Sequence, residues 1–262
     1  MSIESTPKTA TSPEVRFHCT GCGACCRGRY VALSLDEAIA WLKRGHQIAI
    51  ICEALSEPTH GGDDARNAHA KSRSAKAISG RLPIRIIPIF AADVLAGCPN
   101  LGDDDLCQIY DVRPLVCRIY PSEINPFIVL RAANKDCPEE AWAYGEAIIA
   151  SDGSRPSSLV DLVDRSYRAD VDEAHLKLQI CNALGLGVTA LKDDGFVIHS
   201  PRVSDFLAAI SVVVRGQFVI ESNWAIQVAG EVSKRLLLNQ DAKLLVQPDN
   251  NAQQFVALVA PG

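Results

Sequence analysis

The sequence predicts an α+β protein, with an irregular, metal-stabilised cysteine-cluster domain followed by a smaller mixed α/β region. Three observations carry that expectation. Nine of the ten cysteines lie from Cys19 to Cys137, four of them inside the stretch "CTGCGACC". Segments such as "SLDEAIAWLKRG" place apolar residues at helical spacing between start and stop signals. Runs such as "RLPIRIIPIF" are rich in the branched residues that suit strands.

Taken in order, the polar opening "MSIESTPKTATSPE" is expected as a disordered leader over residues 1–14. It lacks the apolar core of a signal peptide, and its glutamates argue against a transit peptide. The cysteine-cluster domain is expected over residues 15–150. Within it, Ser34 and Glu37 predict a capping box for a helix that Gly45 ends. Residues 56–80 are polar and are expected as a mobile insertion. Its basic half (Arg66, Lys71, Arg73, Lys76 and nearby Arg81) has the character of a solvated face. "RLPIRIIPIF" is expected as a strand pushed to a sheet edge by Pro83 and Pro88. "DVRPLVCRIYP" predicts a short helix entered near Pro114, and "CPEEAWAYGEAIIA" a second helix starting after Cys137.

Residues 151–158, "SDGSRPSS", have the composition of a linker, and a C-terminal domain is expected over 159–262. There Asp170 and Glu173 offer another capping box. Val171, Ala174, Leu178 and Cys181 recur at helical spacing up to Gly185. Strands are expected within "SVVVRGQFVIE", a helix near "AIQVAGEVSKRLLL" and a hairpin across "QPDNNAQ".

Composition bounds the chemistry. The chain is 48% hydrophobic and 22% charged, ordinary for a globular protein. Ten cysteines in 262 residues fall below the roughly one-tenth density of a secreted disulfide scaffold. A reducing cytoplasm is therefore the expected compartment, where clustered cysteines hold metal more often than each other. The net charge of −5 gives no drive toward nucleic acid or an anionic membrane. No apolar run reaches the roughly eighteen residues of a membrane span. A protein partner is expected, if any, through the C-terminal region.

By spacing, Cys19, Cys22, Cys25, Cys26, Cys98, Cys107, Cys117 and Cys137 form one constellation of candidate metal ligands. A Cys-x2-Cys turn lets two sulfurs converge on one ion, in zinc and iron–sulfur sites alike. Cys25 and Cys26 are adjacent, and neighbouring side chains generally diverge. Eight thiols therefore suggest two sets of four. Four thiolates leave a net charge of about −2 on either metal centre, and Arg27, Arg29, Arg113 and Arg118 stand nearby in sequence to compensate. A helix start after Cys137-Pro138 would favour its thiolate. Cys52 and Cys181 lie in apolar surroundings and are expected as core residues. His18 is adjacent to Cys19 but is left outside the ligand set.

"FHCTGCGACCRG", "GCPNLGDDDLCQIYDVRPLVCRIYP" and "DCP" together resemble the CxxCxxCC, or YkgJ-type, cysteine-cluster family over about residues 17–140. That resemblance implies chelation of zinc or iron by all eight cysteines, and it supplies no reaction. The long polar segment at 56–80 and the region after 150 depart from a compact family member.

Metal identity stays between two options. Cys19-x2-Cys22-x2-Cys25 begins like a ferredoxin run and Cys137-Pro138 like its ending, which leans toward an iron–sulfur cluster such as 4Fe–4S. Tetrathiolate Zn2+ is the alternative, common where metal replaces a thin core. The function expected is metal binding with an accessory or redox role. One alternative is a purely structural zinc-binding interaction module. Another is an enzyme related to flagellin lysine methylases, similar in cysteine pattern, carrying out cluster-dependent methyl transfer. Against an enzyme, "LGLG" at 184–187 lacks the full glycine-rich spacing, and no nucleophile motif is present.

Overall fold

The computed structural model describes residues 14–60, 64–217, 219–245 and 253–258. Residues 1–13 of the expected leader and 247–252 of the expected hairpin lie outside them.

Strand β1 (Val15–Phe17) leads through a 3-10 turn at Ala24–Cys26 into β2 (Tyr30–Leu33) and helix α1 (Leu35–Lys43). Ser34 Oγ accepts from Glu37 N and Glu37 Oε2 accepts from Ser34 N, so the expected capping box is formed. Gly45, at φ 80°, follows the helix end. Then come β3 (Ile48–Ser56), the short α2 (Glu57–His60), α3 (Ala65–Ser72), β4 (Ala75–Ser79) and β5 (Leu82–Asp93). A largely irregular stretch carries α4 (Leu115–Ile119) and β6 (Glu146–Ile149). The remainder holds α5 (Ser157–Ala183), β7 (Val188–Leu191), β8 (Gly195–His199), α6 (Val203–Val214), β9 (Ala225–Gln227), α7 (Glu231–Leu238) and β10 (Gln253–Ala257). Helices and a large sheet are thus both present, as the α+β class requires.

The sheet runs β10-β8-β3-β5-β2, with β4 on β5, β7 on β3 and β9 on β7. Its spine is the antiparallel pair β3–β5, from Ile48↔Ala92 to Ser56↔Ile84. Strands from both sides of residues 151–158 join this one sheet. Trp41 and Leu42 of α1, Leu178 and Cys181 of α5 and Phe206 of α6 share a core with Ile50, Ile86 and Phe90 of the sheet. Burying each large apolar side chain contributes about 1.5–3 kcal/mol. The Phe90 and Phe206 rings meet edge to face at 4.9 Å.

A buried charge network ties α5 to its neighbours. Lys177 is 1% exposed, yet its Nζ donates to Leu33 O and pairs with Glu173 at 3.1 Å. Arg73 Nε donates to Asp170 at 2.9 Å. Buried charges persist only when paired in this way.

Several local expectations change. β5 is a central strand, because each proline falls where one flank lacks a partner. Pro88 lies between the residues paired to β4 (82–86) and those paired to β2 (90–93), and Pro83 precedes the β3 ladder starting at Ile84. The stretch "SVVV" ends helix α6 instead of forming a strand. Phe206, Ala209, Ile210 and Val213 supply its buried helical period. Asp170 and Glu173 sit inside the 27-residue α5 and do not cap it: Asp170 is taken by Arg73, and Glu173 pairs with Lys177 and accepts from Leu35 N, the first amide of α1. Within 56–80, Asp64 caps α3 by accepting from Arg66 N and Asn67 N, and β4 pairs with β5. Glu139–Trp142 is only a 3-10 turn, followed by β6. Gly230 delays the expected C-terminal helix to Glu231, and the preceding "AIQ" is strand β9.

Candidate metal centre

The sheet delivers the first two cysteine segments to one place. Beyond the β2–β5 ladder, Val94 N donates to Arg29 O at 3.1 Å and Gly28 N donates to Val94 O at 3.0 Å. Cys98 N then donates to Cys26 O at 2.8 Å. Cys26 and Cys98 are therefore set side by side by an extension of the core sheet.

The 3-10 turn carrying Cys25 and Cys26 begins at Gly23, whose φ of 67° and whose crowding by Arg27 and Asp105 exclude a larger residue. Arg27 Nη2 donates to Asp105 Oδ1 at 2.5 Å and fastens this turn to the next loop. That loop folds back on itself: Gln108 N donates to Asn100 O, and Leu101 bridges to Cys107, bringing Cys107 near Cys98. Cys117 sits in α4, whose first amide, Leu115 N, donates to Glu37 Oε1 at 2.7 Å. Glu37 thus holds the N-termini of α1 and α4 with one carboxylate.

Cys137 is placed by Tyr120. The phenol oxygen accepts from Asp136 N at 3.2 Å and lies 3.7 Å from Cys137 Sγ. Arg29 pairs with Asp136 and stands over the Tyr120 ring. On the other side, His18 N donates to Ala141 O at 2.8 Å, and β1 pairs with β6. The segment entering Cys19 therefore lies against the segment leaving Cys137. His18 stacks on Tyr144 at 5.2 Å.

All eight expected thiols line a single cavity of about 830 Å3, while Cys52 and Cys181 are buried in the core. Cys19 and Cys22 are exposed and the other six half-buried. Arg29, Arg113, Arg118 and the rings of Phe17 and Tyr110 also form the wall. Among the described residues, no three donors stand close enough to hold an ion as placed. The set still fits a soft metal in kind: eight thiols, with basic and aromatic neighbours and no histidine needed.

Electrostatics explain why the thiols stand as they do. A hydrogen bond to Cys26, then burial, push the Cys25 thiol far up, and the same bond lowers Cys26. Burial pushes Cys117 up to about 12, with neighbouring thiols adding to it and Arg113 opposing. Cys137 is also raised, first by burial. A single 3-10 turn after Pro138 supplies too little aligned backbone to favour its thiolate. The arginines expected as compensators divide their roles: Arg27 and Arg29 are paired to carboxylates, and Arg113 stacks 3.6 Å from the Tyr110 ring centre.

Sequence reasoning missed Tyr120 and Glu37 as organisers of the site. Glu37 was visible as a cap, but its second oxygen reaches a residue 78 positions away. Tyr120 lies three residues after Cys117, yet it serves Cys137.

Among the described residues, no helix is long and apolar enough to cross a membrane. Comparison with curated proteins and with solved structures gave no match. Residues 18–138, the stretch that holds all eight cavity thiols, match the CxxCxxCC family, described as a "putative zinc- or iron-chelating domain".

Proposed function

We propose that this chain binds metal through the thiolates of Cys19, Cys22, Cys25, Cys26, Cys98, Cys107, Cys117 and Cys137, in an accessory or redox role. One observation carries the reading: these thiols come from separate segments and converge on one cavity, whereas the other two cysteines are packed into the core. The bound group is an iron–sulfur cluster or Zn2+, with the Cys-x2-Cys-x2-Cys run and Cys137-Pro138 favouring the former. When bound, it would cross-link the four loops, and an iron–sulfur centre would also supply one-electron chemistry. The chain's own part is to position the thiols, with arginines that partly offset the burial raising them. Arg29 lowers Cys25 and Arg113 lowers Cys117 against the burial that raises both. A cytoplasmic setting would keep the thiols reduced.

A second reading, an enzyme similar to flagellin lysine methylases, has one observation in its favour. A cavity of about 830 Å3 is within the size of small-molecule sites. Anaerobic purification with elemental analysis and a visible spectrum tests the reading. Iron with acid-labile sulfide and broad visible absorption supports a cluster and justifies redox and methyl-transfer assays. Zinc in a colourless protein supports a structural site. Absence of both metals contradicts the proposal.

A further inference from the structure

We infer that the Tyr120 hydroxyl donates a hydrogen bond to the Cys137 thiolate when metal is bound, and is a positioning residue that sets how tightly that thiol holds its ion. This rests on the metal-binding reading proposed above and adds to it a residue outside the cysteines.

The hydrogen bonds of the phenol fix its direction. Its oxygen accepts from Asp136 N at 3.2 Å, which leaves its own proton for another partner. Among the described residues, the one further group within reach is Cys137 Sγ, at 3.7 Å. A thiol can donate there, from S–H to the phenol oxygen. A metal-bound thiolate has no proton left and can only accept. Filling the site therefore reverses the bond, and tyrosine serves both states because a hydroxyl both donates and accepts. Phenylalanine would serve neither.

The surroundings hold the ring for that role. Tyr120 follows helix α4, with its amide donating to Val116 O at 3.0 Å. Arg29 Cζ lies 5.4 Å and Lys135 Nζ 5.3 Å from the ring centre. Each cation is itself tied, Arg29 to Asp136 and Lys135 to Glu123 at 2.7 Å. The side chains of Lys135 and Glu123 are only 11% and 19% exposed, so theirs is no loose surface pair. Cations over an aromatic ring draw on its electron density, which strengthens the O–H as a donor. Because Tyr120 also closes the helix of Cys117, one side chain joins two ligand-bearing segments.

The test is the metal affinity of the full-length chain, by competition with a chromophoric chelator, for Tyr120→Phe and Tyr120→Leu. Tyr120→Phe keeps the ring and should lower affinity roughly 10–100-fold, the usual cost of losing an outer partner of a ligand. Tyr120→Leu should do no better. In the metal-loaded Tyr120→Phe chain, Cys137 should also alkylate faster than in the wild type, with the other cavity thiols unchanged. Wild-type affinity in Tyr120→Phe would overturn the inference, whatever Tyr120→Leu does. Equal acceleration at all the cavity thiols would overturn it too, since the loss would then be a general loosening of the loops. Should the variants fail to fold, NMR of the wild-type chain loaded with Cd2+ decides. A Tyr120 hydroxyl proton slow to exchange with water is expected, and free exchange overturns the inference. A wild-type chain that takes up no metal would sink this inference and the metal-binding reading together. Metal binding indifferent to the hydroxyl would sink the inference alone.

Discussion

Cys52 and Cys181 are neighbours in space, as are Cys25 and Cys26, yet the two pairs belong to different kinds of structure. Cys52 stands on the central strand β3 and Cys181 on α5, both without solvent exposure among apolar side chains. There the thiol acts as a small hydrophobe, and regular elements hold it. Cys25 and Cys26 stand on a 3-10 turn, and the six other cavity thiols on loops and a five-residue helix. Those loops are fixed by ion pairs, a left-handed glycine and single hydrogen bonds, and only partly by packing of Cys98, Ile109, Val116 and Cys117 against the core. Burial by regular structure gives a thiol a packing role, and convergence of irregular segments on a cavity gives it a donor role.

That contrast is open to attack from its core side first. Phe206→Ala empties a fully buried site and should cost about 3–5 kcal/mol. Denaturant unfolding measures the cost, and metal content per folded chain should stay at the wild-type level. Loss of metal would show that the thiol loops cannot hold their shape without the core contacts of α6.

Cys181→Ser puts a hydroxyl where an apolar thiol packed, and should cost about 1–3 kcal/mol with full metal retained. Release of metal by this variant would erase the distinction between the two groups of cysteines.

Glu37→Ala removes the acceptor for both Ser34 N and Leu115 N and should cost about 1–2 kcal/mol. Because Leu115 opens the helix of Cys117, the same variant should weaken metal binding in a competition titration. A stability loss with unchanged affinity would mean that α4 is placed by its other contacts.

The pH dependence should separate the two states of the cavity. Metal must displace protons from thiols such as Cys117, raised to about 12, so loading should weaken as pH falls from 8 to 6. In the metal-free chain the sign reverses. The unfolded Cys117 thiol ionises near its ordinary 9.0 and the folded one only near 12. Its contribution to stability is complete below pH 9 and is lost as pH rises through that window. Thermal melts of loaded and metal-free protein across pH 6–11 check both arms.

Much of this arrangement was legible in the sequence where the signal is local. The Ser34–Glu37 cap, the α4 helix after Pro114, the buried face of Ala174, Leu178 and Cys181 and the eight candidate ligands all follow from short-range spacing. What was hidden depends on distant partners. Pro83 and Pro88 signalled an edge, because no local pattern shows that β4 and β2 leave a gap opposite Pro88. Val212, Val213 and Val214 have strand propensity, but Phe206 and Ile210 give α6 a buried face that packing against α5 rewards. Asp170 and Glu173 matched a capping box until Arg73 and Lys177 claimed them. Within the site, the tie of Tyr120 to Cys137 and of Glu37 to Leu115 cross 17 and 78 residues, distances over which spacing carries no information.

The central claim is that eight thiols hold metal and two serve the core. The most direct test is alkylation of the native chain, mapped by mass spectrometry before and after chelation. The account predicts that Cys19, Cys22, Cys25, Cys26, Cys98, Cys107, Cys117 and Cys137 gain reactivity when metal is removed. Cys52 and Cys181 should stay unmodified until the chain unfolds. Equal labelling of the eight cavity cysteines with and without chelator, or early labelling of Cys52 and Cys181, would contradict it.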